Sequence, residues 1–296
     1  MPIKPNLACC SLLARIRAGL KLPAAVRFCT LGSFVIGRLT GRNICHITNA
    51  APTGLADVRK SRWNERLIEQ SGLSQLSFPE IVADVMPVAV WNGACLFADY
   101  GDQQVCAYGA GLAPEADLHI SIGTAGLMGA LTAEWGQGQY ENRPWLEKGL
   151  YLRTVSGLPG GNQIRQISLF IKEIATQISK RKISEAAVWQ WLDRLQFDSI
   201  KSVAHDYFDL LSVFSLSPEQ LALAACDTIA DKYKGAADQL GLAVKKIAFS
   251  GGAAQRIPSL RRMIEARLAV DSPGPVCDVM LGMQKIASRA ESKGLL

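Results

Sequence analysis

An α/β fold is expected from three features of this 296-residue sequence. Apolar strand-like runs alternate with helical periodicities, glycine-bearing turns stand at the strand ends, and no repeat or low-complexity tract interrupts them. Hydrophobic residues make up 49% of the chain and charged residues 20%, a balance that excludes wholesale disorder. No apolar run approaches the ~20 residues of a membrane helix, and the length suits about two domains.

From the N-terminal side, residues 24–40 have helix-compatible apolar spacing that stops at Gly41. Asn49 to Gly54 reads as an ordered loop, Arg62 to Gln70 as a short helix ended by Gly72, and 85–91 as an apolar strand-like run containing a proline. A glycine-rich stretch leads to Asp102 and the small-residue segment Val105 to Gly111. Leu118 to Ile122 alternates as a strand, Gly123 to Gly126 turns, and Leu127 to Leu131 returns, which predicts a β-hairpin. Tyr151 to Val155 is another strand, followed by Gly157, Pro159, Gly160 and Gly161 and a helical pattern over Gln163 to Ile178. Ser184 suits the cap of a helix through Leu195. Ser217 with Pro218 starts a long helix ending before Gly241, because both residues suit unpaired first-turn amides. Val244 to Ser250 is an apolar strand, Gly251-Gly252 a tight turn, and Pro258 to Leu268 a helix.

The formal net charge of +6 is concentrated at one end. Residues 1–56 hold seven basic side chains (Lys4, Arg15, Arg17, Lys21, Arg27, Arg38, Arg42) and no acid, which leaves 25 basic against 26 acidic residues elsewhere. Such a start is compatible with a mitochondrial targeting segment, and Leu7 to Ala14 with a short secretory region. Pro2, Pro5 and Pro23 interrupt the first as an amphipathic helix, and Arg15 and Arg17 follow the second directly, so a solvated basic face is the simpler reading. Eight cysteines form no CxxC pair and three histidines are too dispersed to complete a zinc site, which fits buried thiols in a reducing cytoplasm and assigns no metal ligand.

Three glycine-bearing strand ends are candidates for chemistry. Around Gly123-Thr124, glycine would let backbone amides approach an anion and the hydroxyl could donate to a phosphate oxygen; a plain hairpin tip is the competing reading. Around Gly251-Gly252-Ala253, small residues running from strand to helix leave room for a flat base or sugar, or else serve close packing. In Asp99-Tyr100-Gly101-Asp102-Gln103-Gln104, a carboxylate flanked by glycine could take a proton from an alcohol, or form a turn. There is no GxxxxGK, GxGxxG, GxSxG or HExxH, which disfavours P-loop and dinucleotide chemistry. Aromatic residues do not interleave with basic ones, which argues against nucleic acid as a partner.

In order, these segments resemble the FGGY family of carbohydrate kinases, sedoheptulokinase-like members above all. Phe34 to Gly41 is similar to the family's helix ending in "RLTG", Asn49 to Arg59 with Trp63 to its "NA..TGL.D...W" segment, and Gly101-Asp102-Gln103 to its "GD(N/Q)" element. Leu118 to Gly126 resembles the second phosphate motif, Phe249 to Pro258 the adenosine motif, and Asp278 to Ala287 the closing helix. The sedoheptulokinase likeness rests on Cys29-Thr30-Leu31-Gly32 and on Glu141-Asn142-Arg143-Pro144 followed by Gly157 to Gly161.

The resemblance spans roughly residues 20–290 and implies an actin-like ATPase (ribonuclease-H-like) two-domain fold binding ATP with Mg²⁺ and a ketose in the cleft. It implies a partial sugar-side domain over 1–113 and a nucleotide-side domain over 114–296. Asp102 would be the catalytic base. Gly123 and Thr124 would hold phosphate oxygens, Gly160 and Gly161 would close backbone around the nucleotide, and Gly251, Gly252 and Ala253 would line the adenosine pocket. The family opens with a "DxGT" phosphate loop that these 296 residues lack, and Ile257 stands where the family has a polar residue. The first domain is therefore expected to be incomplete at its N-terminal side, with little or no kinase activity for this chain alone. The alternative is a non-catalytic sugar- or nucleotide-binding remnant, or a subunit needing a partner; a nucleic-acid binder is a third, and a homodimer is left open. A cytoplasmic location without membrane attachment completes the expectation.

Overall fold

The computed structural model describes residues 7–114, 116–195, 217–242, 244–270 and 276–295. Lys4, Pro2 and Pro5 of the basic segment lie outside them. The first part of the chain is built from short elements. Helix α1 (Ala8–Arg17) leads to strand β1 (Val26–Arg27), helix α2 (Leu31–Thr40), strand β2 (Ile44–His46) and helix α3 (Ile47–Ala50). Then come β3 (Ala56–Asp57), β4 (Arg62–Trp63), helix α4 (Glu65–Gln70), β5 (Leu76–Ser77), β6 (Glu80–Val82), β7 (Pro87–Trp91) and β8 (Ala94–Phe97). Among the described residues they pair in twos: β1 with β5 and β2 with β6 in parallel, β3 with β4 and β7 with β8 antiparallel.

Helix α5 (Asp102–Ala110) joins this region to a larger body. That body contains β9 (Asp117–Ile122), β10 (Gly126–Thr132), β11 (Glu141–Pro144), β12 (Tyr151–Leu158), α6 (Gly161–Ser179), α7 (Glu185–Asp193) and α8 (Pro218–Leu240). It closes with β13 (Lys246–Ser250), α9 (Gly252–Arg256), α10 (Pro258–Arg267) and α11 (Val279–Ser292). Five strands form one sheet in the order β11-β12-β10-β9-β13; β13 runs parallel to β9 and the other pairs are antiparallel.

Period-two alternation sends successive side chains to opposite faces of this sheet. Leu118, Ile120, Ile122, Met128, Ala130, Ile247 and Phe249 face one way, into a core shared with Ile164 of α6, Tyr233 of α8 and Leu260 of α10. Leu131, Leu152 and Ala248 face the other way, against Ala107 and Ala110 of α5. The sheet is therefore covered by helices on both faces, with α5 alone carrying residue 102 onto the second.

Several expected elements are shorter or differently placed. The helical spacing over 24–40 yields a helix only from Leu31, because Thr30 caps it by accepting the Ser33 amide (3.2 Å) and Val26–Arg27 pairs with β5 instead. Arg62 and Trp63 are extended against β3, and the helix starts after the Asn64 cap. The strand at 87–91 returns as β8 through Asn92-Gly93, whose φ of 47° and 78° suit a tight hairpin turn that the proline-containing run alone does not predict. Asp102 lies not in a loop but at the first position of α5. The prolines do not suppress α1, which buries Cys9 against Leu55 and Leu73 and leaves Arg15 and Arg17 exposed in its last turn, where cations suit the helix dipole. The helices capped by Ser184 and Ser217 and the hairpin over 117–132 form as expected.

Candidate functional site

Asp102 is exposed, and one of its carboxylate oxygens accepts the Gln103 amide at 2.7 Å. The preceding turn is fixed from β2 and α3: the Gly101 amide donates to Thr48 Oγ1 (2.8 Å), which is also bonded to His46 Nδ1 (2.9 Å). Below α5 the sheet offers polar anchors on an otherwise apolar face. Gln103 Nε2 donates to Thr154 Oγ1 of β12 (3.3 Å), and buried His119 and Ser250 bond to each other at 2.9 Å.

Asp99, three residues earlier, has a different role. Its carboxylate accepts the Thr30 hydroxyl and the His46 amide (3.0 Å), and its carbonyl accepts Asn49 Nδ2 (3.1 Å). Burial pushes its carboxyl above the usual carboxylate range, against the pull of those hydrogen bonds. A Cβ on Gly32 would run into Asp99, so the Cys29-Thr30-Leu31-Gly32 run is a seat for this carboxylate.

The three glycine loops meet at one edge. Strands β9, β12 and β13 all point their carboxyl ends the same way, so the segments leaving them emerge together. The Gly161 amide donates to the Gly123 carbonyl (2.6 Å) and the Asn162 amide to the Thr124 carbonyl (3.1 Å). Gly251, at φ 92°, passes so close to β9 that an added Cβ would stand 2.6 Å from the Ile122 carbonyl carbon. One on Gly160 would stand 2.5 Å from the Ala125 carbonyl carbon. Gly160 and Ala253 are buried by this packing, whereas Thr124 and Gly252 are exposed, and a Cβ on Gly252 would meet nothing within 4 Å. Both readings of these turns therefore hold in part: some glycines serve close packing, and others leave open space. In open α/β sheets ligands sit outside the carboxyl ends of strands, which is where these loops lie.

Asp102 opens onto a separate cleft of about 380 Å³, lined by Asn49, Gln103, Glu141, Arg143 and Ser156 among others. That volume suits a small polar ligand. None of the three glycine loops lines it; Ser156 of β12 is its nearest element in sequence to Gly160. The Glu141–Arg143 contribution was visible in the sequence only as a likeness, because Gln103 and Arg143 are far apart along the chain.

No family model matches this sequence. The glycerol kinase of Nocardia farcinica is 29% identical over 106 residues, which cover 34% of this chain and 21% of that protein. The ligand-bound xylulose kinase of Lactobacillus acidophilus superposes on 99% of this chain with a TM-score of 0.71 at 14% identity. The gluconate kinase of the same organism does so with 0.72 at 13% identity. The chain has the actin-like fold of the FGGY sugar kinases. It covers 65% of the length of each of those two sugar kinases, and the stretch matched by sequence is about a fifth of the glycerol kinase. Among the described residues no helix is long and apolar enough to cross a membrane.

Proposed function

We propose that this chain is an ATP-dependent carbohydrate kinase of FGGY type, sedoheptulokinase-like, which transfers the γ-phosphate to a hydroxyl of a ketose such as sedoheptulose. The carrying observation is the gathering of three glycine loops at the carboxyl ends of β9, β12 and β13, next to the cleft that holds Asp102. Ser156 on the cleft and Gly160 in the loops are four residues apart on one chain, at most about 14 Å, within a nucleotide's reach.

In this reading Asp102 takes the proton of the attacking hydroxyl, and its exposure on the cleft leaves one carboxylate oxygen free for that contact. Phosphoryl transfer depends chiefly on positioning and on stabilising charge. The Thr124 hydroxyl makes no hydrogen bond among the described residues and is free to meet a phosphate oxygen together with the Gly123 backbone. Gly160 and Gly161 hold the start of α6 against that turn, and Gly251, Gly252 and Ala253 bound the space for adenosine. Among the described residues no three His, Cys, Asp or Glu side chains cluster as a metal site, so Mg²⁺ would enter with the nucleotide, ligated mainly by phosphate and water. Bound Mg²⁺ would shield the triphosphate charge.

The division at 113/114 into a sugar side and a nucleotide side, a cytoplasmic location and a homodimer belong to the same proposal. A second reading, a non-catalytic binding protein or a subunit completed by a partner, is favoured by the separation of the Asp102 cleft from the three glycine loops, none of which lines it. Incubating the purified chain with radiolabelled ATP, Mg²⁺ and sedoheptulose, xylulose, gluconate or glycerol tests the first reading. Sugar phosphate that disappears in Asp102→Asn supports it. Calorimetric binding of ATP or sugar without turnover favours the second, and absence of both transfer and binding rejects the two together.

A further inference from the structure

Arg143 stands in the cleft with all three guanidinium nitrogens donating hydrogen bonds. Nε and Nη2 donate to Glu141 Oε2 (3.1 and 2.9 Å), and Nη1 donates to Gln103 Oε1 (2.5 Å). Glu141 accepts the Ser156 hydroxyl through its other oxygen (3.0 Å), while Gln103 passes its amide hydrogen to Thr154. Thr154 and Ser156 both belong to β12, so the bonds form a ring that leaves that strand, crosses the first turn of α5 and returns. Gln103 is only 8% exposed; with both ends of its amide engaged it has one orientation, and its backbone N–H is the group bonded to Asp102.

We infer that Arg143 is a positioning residue which, through Gln103, holds Asp102 against β12, and that Glu141 cancels its charge so that the cleft receives an uncharged polyhydroxy substrate. This rests on the kinase reading. The planar fork matters, since one guanidinium serves a carboxylate and an amide oxygen at once, and a lysine ammonium of different reach and shape does not reproduce that geometry. Removing a hydrogen bond to a charged group at a site that orients a reacting carboxylate should cost about 10–100-fold.

The test compares Arg143→Lys and Glu141→Gln with the unaltered chain, using D-xylulose and D-gluconate as probes in calorimetry and, with ATP and Mg²⁺, in transfer. Arg143→Met and the remote exposed-pair variant Arg165→Met serve as controls, with thermal melts for folding. Arg143→Lys should melt near the parent temperature yet lose about 10–100-fold in kcat, or in xylulose affinity where binding alone is read, with no rescue relative to Arg143→Met. Glu141→Gln leaves Arg143 uncompensated and should raise the gluconate-to-xylulose affinity ratio about tenfold. Parent-like behaviour of Arg143→Lys, or an unchanged ratio in Glu141→Gln, overturns the inference while leaving the kinase reading intact. Failure of the unaltered chain to bind or phosphorylate either sugar overturns the inference, and failure with sedoheptulose and glycerol as well overturns the kinase reading.

Discussion

Gly109 on α5 and Gly282 on α11 meet backbone to backbone: a Cβ added to Gly109 would stand 2.8 Å from the Gly282 amide nitrogen, and one added to Gly282 would strike the Val105 carbonyl oxygen. The two helices can lie this close only because neither carries a side chain at the crossing. Gly109→Ala or Gly282→Ala should therefore cost about 1–3 kcal/mol, seen as a fall of about 3–10 °C in thermal melts. Gly235 in α8 faces open space, and Gly235→Ala should instead raise the melting temperature by a few degrees. Equal behaviour of all three variants would contradict the crossing.

Asp99 and Asp102 should separate in mutagenesis. Asp102→Asn removes an exposed group with one local bond, so the melting temperature should hold while any phosphoryl transfer falls about 10²–10⁴-fold. Asp99→Ala strands the Thr30 hydroxyl and the His46 amide, and should cost about 1–3 kcal/mol in urea unfolding. A stable Asp99→Ala protein would refute the structural role given to that carboxylate.

Acid should weaken the fold before any carboxylate of ordinary pKa titrates. His46 and His119 are buried, and burial pulls each imidazole from 6.5 down to about 4. Between those values the unfolded chain binds protons that the folded chain does not, so stability is full above pH 6.5 and declines as pH falls toward 4. The loss amounts to at most about 3 kcal/mol for each histidine. Urea midpoints measured from pH 7 to pH 4.5 should drop steadily; a level profile would mean that these rings are not held neutral.

Neighbouring glycines at 251 and 252 make opposite predictions. Gly251→Ala combines a φ of 92° with contact against the β9 backbone, so it should destabilise the protein by more than about 1 kcal/mol. Gly252→Ala meets no protein atom and should leave the melting temperature within about 1–2 °C. If adenosine occupies that space, the same methyl group should weaken ATP binding measured by calorimetry.

The elements legible in the sequence are those with local signals. Ser184, Ser217 with Pro218, and Gly241 bound their helices because caps act within one turn, and the alternation over 118–122 sends Leu118, Ile120 and Ile122 to one face of the sheet. Helix α5 was hidden because Val105, Ala107, Gly109 and Ala110 are small residues that suit close approach to the sheet and to α11 and give no amphipathic stripe. The β7–β8 hairpin was announced by Asn92-Gly93, but Pro87 and the glycine-rich surroundings masked it. Asp102 and the glycine loops could be singled out by residue type and order. The ring through Arg143 could not, since it joins residues that only β11–β12 pairing and the seat of α5 bring together.

The pairing of α5 with α11 also orders events during synthesis. Residues 102–110 leave the ribosome well before 279–292, so the helix that carries Asp102 must wait with its glycine-lined side uncovered until most of the chain exists. Its final seat, and with it the alignment of the cleft, is completed only when the last described helix arrives, which makes assembly of this site a late step in folding.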